Sequence, residues 1–391
     1  MNGKSVILGI VAEYDPFHNG HLYQIIEAKK ACGADVVYVA LSPCIKQRGI
    51  LSMLSPFDRA ACAVHEGADA VFQLPVMWTV RDAEHYALGA VALLCRTGIT
   101  HISFGAETSD LQILRRTADF LDDPPSSFQS TLKSFMEEGK GYPAALSDAV
   151  STFFPDGGRV ISHPNNILGI CYLRALKKMK SDVVPVIVPR RGDYHNPYVS
   201  DDSPSASAIR TALSRGNYSS AFRAMPDFST VMIKKAFLSG RVPDPEIWNS
   251  LLTERLRIAD ISSLPDLSEG LEGALRKNAS ALTAGDNLAG SVSSRRYTAS
   301  RISRLCAMAM LNVTDDRIRN LPLPTSTLLL ALRKKKAPTD RWKDLPVRIA
   351  VSAADWAKTA DPEELLSWRL WAVCSHLPDT LPFTEKIYTE S

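Results

Sequence analysis

The sequence has no uninterrupted apolar run of the roughly 18 residues that a membrane-spanning helix requires. Its N-terminal apolar stretch, SVILGIV, is not followed by a small-residue cleavage site, and the polar Glu13 and Asp15 come too early for a signal peptide. We therefore expect no membrane partner and interpret the stretch as the first strand of a core.

Cysteine is sparse and unpatterned. The seven cysteines are scattered, odd in number, and form no Cys-x-x-Cys motif. This usage disfavours a disulfide framework and a zinc ribbon, and it predicts reduced thiols in a cytoplasmic protein.

Net charge is also low, at +3, but it is unevenly distributed. Residues 291–350 contain 13 Lys and Arg against 4 Asp and Glu, a net charge of +9, so the rest of the chain carries −6. A basic segment on an acidic body suggests a polyanionic partner. On the charge distribution alone, a basic helix face that is simply solvated is as good an explanation as a polyanionic partner.

The chain of 391 residues is long enough for two domains. In its first part, strand patterns alternate with helical ones, which predicts an α/β, Rossmann-like parallel sheet. The expected strands cover 5–14, 34–42, 68–75, 100–105 and 183–189. Beyond about residue 225 no strand pattern is evident, and runs such as STLLLALRKKK (326–336) look helical. We expect a catalytic domain over 1–225 and a basic, mainly α-helical domain over 226–391.

The most informative stretch is AEYDPFHNGHLYQ (12–24), which follows the first strand. Ligands of parallel sheets bind at the carboxyl ends of strands, and a helix start favours anions. His18 and His21 are neighbours on the first helical turn, and Gly20 between them allows close approach. We interpret this as a phosphate clamp. The alternatives are a zinc site, which would need further ligands, and a purely structural capping loop. Walker-type and G-x-G-x-x-G patterns are absent.

Two motifs carry a resemblance to a known superfamily. FHNGH resembles the His-x-Gly-His signature of nucleotidyltransferases, a superfamily that includes class I aminoacyl-tRNA synthetases. SASAIR (205–210) resembles its second signature, in which hydroxyls at a helix start and an arginine one turn later meet phosphates. The resemblance implies catalytic roles for His18, His21 and Arg210.

Seven motifs in order narrow the resemblance to the bacterial tRNA(Met) cytidine acetate ligase family, over residues 5 to 313. They are EYDPFHNGHLYQ, QRG (47–49), FGAE (104–107), PNNILG (164–169), DYHN (193–196), SASAIR and RRYTASRISRL (295–305). This family is understood to make acetyl-adenylate from acetate and ATP, with Mg²⁺ expected beside the nucleotide. The acetyl group then goes to the wobble cytidine of elongator tRNA(Met), giving N4-acetylcytidine. The expected partners are thus tRNA and acetate, and not DNA.

The resemblance also implies binding residues. It places tRNA on the basic motif, at Arg295, Arg296, Tyr297, Arg301 and Arg304. No resident metal ligand is expected. ATP is expected at Val11, Ala12, Glu13, Tyr14, Phe17, His18, Asn19, Gly20, His21, Gln24, Gly105, Asn165, Arg190, Arg191 and Ser207. Asn165 is expected both to cap its helix and to contact nucleotide.

The chain departs from the family's usual pattern at Asp15, at Pro43 and Cys44, and at Gln73. Lys46 and Asp58 have the pattern of ordinary solvated residues. Two rival functions remain. A small-molecule adenylyltransferase would share the clamp but need no basic helical part. A non-catalytic RNA-binding protein would not need His18, His21 and Arg210.

Overall fold

The computed structural model describes residues 5–190, 205–267, 270–281, 288–294 and 297–391. Its centre is a parallel sheet in the order β5-β4-β1-β2-β3. Each of these strands falls on a predicted one, so the predicted Rossmann-like α/β sheet is confirmed. The strands are β1 (Ile7–Ala12), β2 (Val36–Leu41), β3 (Ala70–Gln73), β4 (His101–Ala106) and β5 (Val184–Pro189).

Helices cover both faces of this sheet. Alternate residues of β2 enter separate cores: Tyr38 packs with α4 and α9, whereas Val37 and Val39 pack with α1 and α2. The helix starts follow local signals, such as Ser55, whose hydroxyl caps α2 before Pro56. The helices are α1 (Asn19–Cys32), α2 (Pro56–His65), α3 (Val76–Thr79), α4 (Ala83–Arg96), α5 (Leu111–Asp122), α6 (Phe128–Glu137), α7 (Tyr142–Phe153), α8 (Pro155–Ile161) and α9 (Pro164–Lys178).

The next part of the chain is helical, as predicted. Leu256, Leu275 and Ile302 lie in a core shared by α13, α14 and α16. The helices are α10 (Ala206–Ser214), α11 (Tyr218–Arg223), α12 (Asp227–Leu238), α13 (Pro245–Ile258), α14 (Leu271–Ala281), α15 (Leu288–Val292), α16 (Ala299–Met310) and α17 (Asp315–Arg319).

The C-terminal part returns to the sheet, so the prediction of a helix over 326–336, with no strand after 225, is wrong. β6 (Ser326–Arg333) pairs antiparallel with β3, and β7 (Arg348–Ala350) and β8 (Tyr388–Glu390) run parallel to β6. Successive leucines of β6 enter opposite cores. A strand buried on both faces shows a continuous apolar run, which periodicity does not separate from a buried helix. The domain division at 225/226 stays a prediction.

A 3₁₀ helix (Thr339–Asp344) and three helices, α18 (Ala353–Ala357), α19 (Pro362–Cys374) and α20 (Leu381–Thr384), complete the chain. Within the described residues, no helix has the length and apolar character needed to cross a membrane.

Candidate active site

The two histidines form the start of α1. His18 is the N-cap residue, and its Nδ1 accepts a hydrogen bond from the Gly20 N–H at 3.1 Å. Nδ1 of His21 accepts one from the His18 N–H at 3.3 Å, which completes a reciprocal capping box. The rings stack with centroids 3.7 Å apart. The sequence left a capping loop as one alternative for these residues, and the structure shows that both histidines do cap α1.

This capping fixes the protonation of both rings. A nitrogen that accepts a hydrogen bond carries no proton, so each neutral ring must carry its proton on Nε2. Burial, reinforced by Arg190 and Arg210, lowers the pKa of His18 to about 3. Burial and then His18 and Arg190 hold the pKa of His21 well below its usual range. Both histidines are thus neutral Nε2–H donors at neutral pH, which suits them to phosphate oxygens.

The backbone of α1 contributes less than the sequence suggested. The N–H of Asn19 donates to the Ala224 carbonyl at 3.0 Å, and the N–H of Gly20 is used by His18. These groups were expected to meet an anion directly, but the protein itself satisfies them. The donors that this helix start offers to an anion are therefore the Nε2–H groups of the two imidazoles and not the backbone N–H groups of Asn19 and Gly20.

Two arginines converge on the histidines. Both Arg190, just after β5, and Arg210, on α10, contribute to lowering the His18 pKa. Nη1 of Arg210 donates to the Asp15 carbonyl at 2.5 Å. The hydroxyl of Ser205 caps α10, and Ser207 is exposed on its first turn. Sequence-distant motifs are therefore brought together around a site that favours a polyanion.

Asn165 orients Arg190 and does not cap α9, whose N-cap position is His163, so the predicted capping role is wrong. Its Nδ2 donates to Glu107 Oε1 at 2.6 Å, and its Oδ1 accepts from Arg190 Nη1 at 3.1 Å. Glu107 also accepts from the Asn166 N–H at 3.0 Å. This relay holds the guanidinium in one orientation.

Gly105 lies under the stem of Arg190. A Cβ placed there would meet the Arg190 Cγ at 3.4 Å, which is ordinary contact. The protein's own packing therefore tolerates a Cβ at this position.

The remaining predicted nucleotide residues differ in accessibility. Tyr14 and Phe17 are buried and pack on His21, with ring centroids 4.8 and 5.5 Å from it. The Asn19 amide donates to the Arg223 carbonyl at 3.1 Å, so it anchors the loop. Val11, Ala12 and Glu13 lie at the end of β1 or directly after it, and Gln24 lies on α1. Ala12 is buried and the other three are half-buried. Arg191 and the DYHN motif lie outside the described residues.

Sequence reasoning missed a buried ionic group beneath the site. Asp15 and Lys46 form an ion pair with both side chains almost fully buried, so the expectation of a solvated Lys46 is wrong. Asp15 also accepts from the Met53 N–H at 2.7 Å. An unpaired carboxylate would be costly in this position, and Lys46 supplies its counter-charge. Asp58 is half-buried and bonded to Ser55 at 2.9 Å, so it is not simply solvated either.

Arg59 was missed as well. Fully buried, it donates to the carbonyls of Glu13 at 2.6 Å, Ser42 at 2.9 Å and Pro43 at 2.7 Å. It thereby joins the loops after β1 and β2. Its position inside a helix next to an apolar run gave no signal that it was buried.

The described residues of the basic motif lie on α16 and directly before it. Arg301 lies over the Tyr297 ring at 5.3 Å, and Arg304 is half-buried. Burial lowers the pKa of Arg304, and the nearby Arg301 and Arg48 lower it further, while Asp82 and Asp266 oppose this. Arg48, Arg301 and Arg304 thus form a cationic cluster. Arg295 and Arg296 lie outside the described residues.

The QRG loop connects this cluster to the loop after β1, the loop that leads to the histidines. The Gln47 N–H donates to Glu13 Oε1 at 2.9 Å on one side. On the other side, Gly49 has φ +74°, and a Cβ there would lie 2.3 Å from the Ser303 carbonyl oxygen of α16. Glycine is required because two backbones touch at this point.

No group of three or more His, Cys, Asp or Glu side chains in the described part of the chain is arranged to hold a metal ion. A magnesium ion commonly relies on substrate phosphates and water with only one or two carboxylates.

The family model described as HIGH Nucleotidyl Transferase matches residues 5–339. The tRNA(Met) cytidine acetate ligase of Acetivibrio thermocellus is 32% identical over 95% of this chain and 96% of its own length. That of Fervidobacterium nodosum is 35% identical over 76% of this chain and 71% of its own. The chain belongs to the tRNA(Met) cytidine acetate ligase family.

The fold agrees with this family membership. The crystal structure of Thermotoga maritima TmcAL in its apo form superposes with a TM-score of 0.89 and 24% identity, covering 98% of this chain and 99% of the other. The same protein bound with alpha-thio ATP gives a TM-score of 0.87 and 23% identity, covering 99% and 100%. Because nearly the whole chain superposes, the shared fold includes the C-terminal sheet strands, which the sequence of this ligase-family chain did not predict.

A ligase-family departure at the end of β3 has a structural partner. Gln73 donates to Glu364 Oε2 at 2.9 Å and accepts from Trp368 Nε1 at 3.1 Å. Glu364 also accepts from the Val76 N–H. Helix α19 is thereby tied to the sheet at the same edge as the histidines.

Proposed function

We propose that this chain forms acetyl-adenylate from acetate and ATP and transfers the acetyl group to the wobble cytidine of elongator tRNA(Met), giving N4-acetylcytidine. The observation that carries the proposal is the pair of neutral Nε2–H donors, His18 and His21, held beside Arg190 and Arg210 in a chain of this family. ATP and tRNA are both cytoplasmic, so we place the reaction in the cytoplasm.

In the first step, an acetate oxygen attacks the α-phosphorus of ATP, and the bond to the bridging oxygen of the β-phosphate breaks. Acetyl-adenylate and pyrophosphate are the products. Negative charge accumulates on the phosphate oxygens, where His18, His21, Arg190 and Arg210 supply hydrogen bonds and positive charge. The capping box and the Glu107–Asn165 relay hold these groups in place before reaction, so little reorganisation is needed.

In the second step, the cytidine exocyclic nitrogen attacks the acetyl carbonyl carbon. The bond between the acetyl carbon and the AMP oxygen breaks, AMP leaves, and the nitrogen loses a proton to water. The target base must leave its stack to reach the site, as bases modified by enzymes do. We propose that tRNA binds to the basic motif. Its residues Arg301 and Arg304 lie on α16, and Arg295, Arg296 and Tyr297 precede that helix in the sequence.

We further propose that Mg²⁺ enters on the phosphates of ATP. It would neutralise charge there. The protein's part is to bind the remaining phosphate oxygens through the two imidazoles and the two arginines.

The alternative is a small-molecule adenylyltransferase, which could use the same histidines and arginines. The α16 cluster favours the tRNA ligase because adenylyl transfer to a small molecule has no use for it.

Pyrophosphate exchange separates the two functions. With the ligase, labelled pyrophosphate exchanges into ATP only when acetate is present, and tRNA is not needed, because the first step is reversible on the enzyme. Exchange that ignores acetate but requires a mononucleotide or phosphate ester would reject the ligase and support the adenylyltransferase.

A further inference from the structure

A cavity of about 440 Å³ lies between the QRG loop, the start of α13 and helix α16. Its volume falls within the range of small-molecule sites, roughly 300–1,000 Å³. Its wall contains polar and apolar residues, with residues 49–53 from the QRG loop onward and Ser303 and Cys306 from α16. Gly49, Met53 and Ser303 take part in contacts described above, and Arg210, which also lines the cavity, belongs to the phosphate site.

Arg210 joins the cavity to the phosphate site. It lines the cavity and also donates to the Asp15 carbonyl, close enough to His18 to lower the pKa of that ring. Met53 makes a second connection, because it lines the cavity while its N–H donates to Asp15 Oδ1. A ligand in the cavity would therefore lie next to the place where acetyl-adenylate forms.

The opposite wall of the cavity belongs to α16, the helix that carries Arg301 and Arg304. Ser303 lines the cavity and stands between Arg301 and Arg304 in the sequence of α16. Since the QRG loop touches α16 at Ser303, the cavity and the arginines are held in a fixed relation. An RNA whose phosphates contact these arginines would have its bases near the cavity.

The lining offers the groups that an unstacked base needs. Trp248 is half-buried and presents an aromatic surface, and Asp244, whose carboxylate also caps α13, adds a hydrogen-bond acceptor. Single RNA bases are recognised by stacking on aromatic side chains and by hydrogen bonds to their edges.

We propose that this cavity receives the cytosine base that is acetylated, with Trp248 against the ring and the exocyclic amine directed toward Arg210. The inference rests on the proposed function and adds to it the binding site of the acceptor base. The amine must face Arg210 because the acetyl group is delivered from that side.

The test compares Trp248→Ala with Leu251→Ala, a half-buried residue of the same helix that packs on the neighbouring core. Two reactions are measured: acetate-dependent pyrophosphate exchange without tRNA, and transfer of labelled acetyl to tRNA. We expect Trp248→Ala to lower transfer about tenfold or more and to leave exchange within twofold. Trp248→Phe should recover most of the transfer, and Leu251→Ala should change neither reaction.

A filling substitution covers the case in which Trp248→Ala does not fold. Ala289→Phe would occupy the cavity from its α15 side. Normal exchange with lost transfer supports the proposal. Unchanged transfer, or exchange that falls as far as transfer, overturns it. A wild-type protein without acetate-dependent exchange would reject the proposed function itself, so the two failures are distinguishable.

Discussion

At the scale of single residues, His18 and His21 each use one ring nitrogen for the fold and leave the other for a ligand. Nδ1 closes the capping box of α1, and that contact places the proton on Nε2. Capping is therefore one function of these side chains, and the proposed phosphate binding would be a second function of the same side chains. An alanine substitution would remove both at once and would not tell them apart.

Substitutions that keep only the cap separate the two functions. Asn accepts well at an N-cap, and Gln at the third helical position reaches back to the N-cap N–H. We expect His18→Asn and His21→Gln to keep the thermal unfolding midpoint within a few degrees. Each should lower the rate of acetate-dependent pyrophosphate exchange by about 100-fold, as for a lost charge-stabilising donor. Normal exchange in both variants would leave the histidines with a structural role alone.

Gly105 gives a second residue-scale prediction. Because a Cβ would meet the Arg190 stem and the Val188 carbonyl oxygen at ordinary contact distances, Gly105→Ala should leave the free energy of unfolding within about 0.5 kcal/mol. It should raise the KM for ATP at least several-fold if nucleotide lies against this strand end. The matched control is Gly169→Ala, whose Cβ would lie 2.6 Å from the Phe104 ring and should destabilise the protein. An unchanged KM for Gly105→Ala would remove nucleotide from this position.

At the scale of elements, the QRG loop joins the loop after β1 to α16. The loop is held to Glu13 by Gln47 and to α16 by the backbone contact at Gly49. The arginine cluster is thus attached to the catalytic edge of the sheet rather than to an independent surface.

Neutralising the basic motif tests its role. We expect Arg295, Arg296, Arg301 and Arg304 changed together to Gln to weaken tRNA binding and to flatten its salt dependence. Each lost phosphate contact removes about 0.7 to 0.9 from the slope of log K against log salt. Changing the exposed Lys334, Lys335 and Lys336 to Gln is the control, and should leave the slope nearly unchanged. A slope that is the same in both variants would make the motif's arginines surface or packing residues.

The elements that the sequence predicted are those with a periodic signal. The five parallel strands and the capped helices follow from alternation and from residues such as Ser55 and Pro56. β6 was misread because its leucines are buried on both faces. The burial of Lys46 and Arg59 was missed because their partners, Asp15 and the carbonyls of Glu13 and Ser42, are distant in sequence. Local pattern carries no information on such contacts.

At the scale of the whole molecule, the C-terminal part completes the sheet and supports its catalytic edge. β6 pairs with β3, and α19 reaches the end of β3 through Glu364 and Gln73. Burial raises the pKa of Glu364 to about 8. This carboxyl is therefore a titrating link between α19 and the end of β3.

Its effect on stability has a defined sign. Between about pH 5 and pH 8 the folded protein keeps the proton that unfolded Glu364 has lost, so the free energy of unfolding falls as pH rises. The slope is at most about 1.4 kcal/mol per pH unit. We expect Glu364→Gln to remove this contribution, so that its stability relative to wild type rises from pH 5.5 to pH 8 in urea unfolding. A difference that stays constant over this range would show that Glu364 is already ionised when folded.

The central claim is that acetate itself becomes attached to a tRNA cytidine. The direct measurement is mass spectrometry of nucleosides from tRNA incubated with the protein, ATP and ¹³C-labelled acetate. We predict labelled N4-acetylcytidine in elongator tRNA(Met), at the wobble position. None should form when ATP is omitted, and its initial rate of formation should fall by about 100-fold when His21→Gln replaces the wild type. Unlabelled cytidine alone, under conditions in which the wild-type protein is folded and binds ATP, would contradict the account.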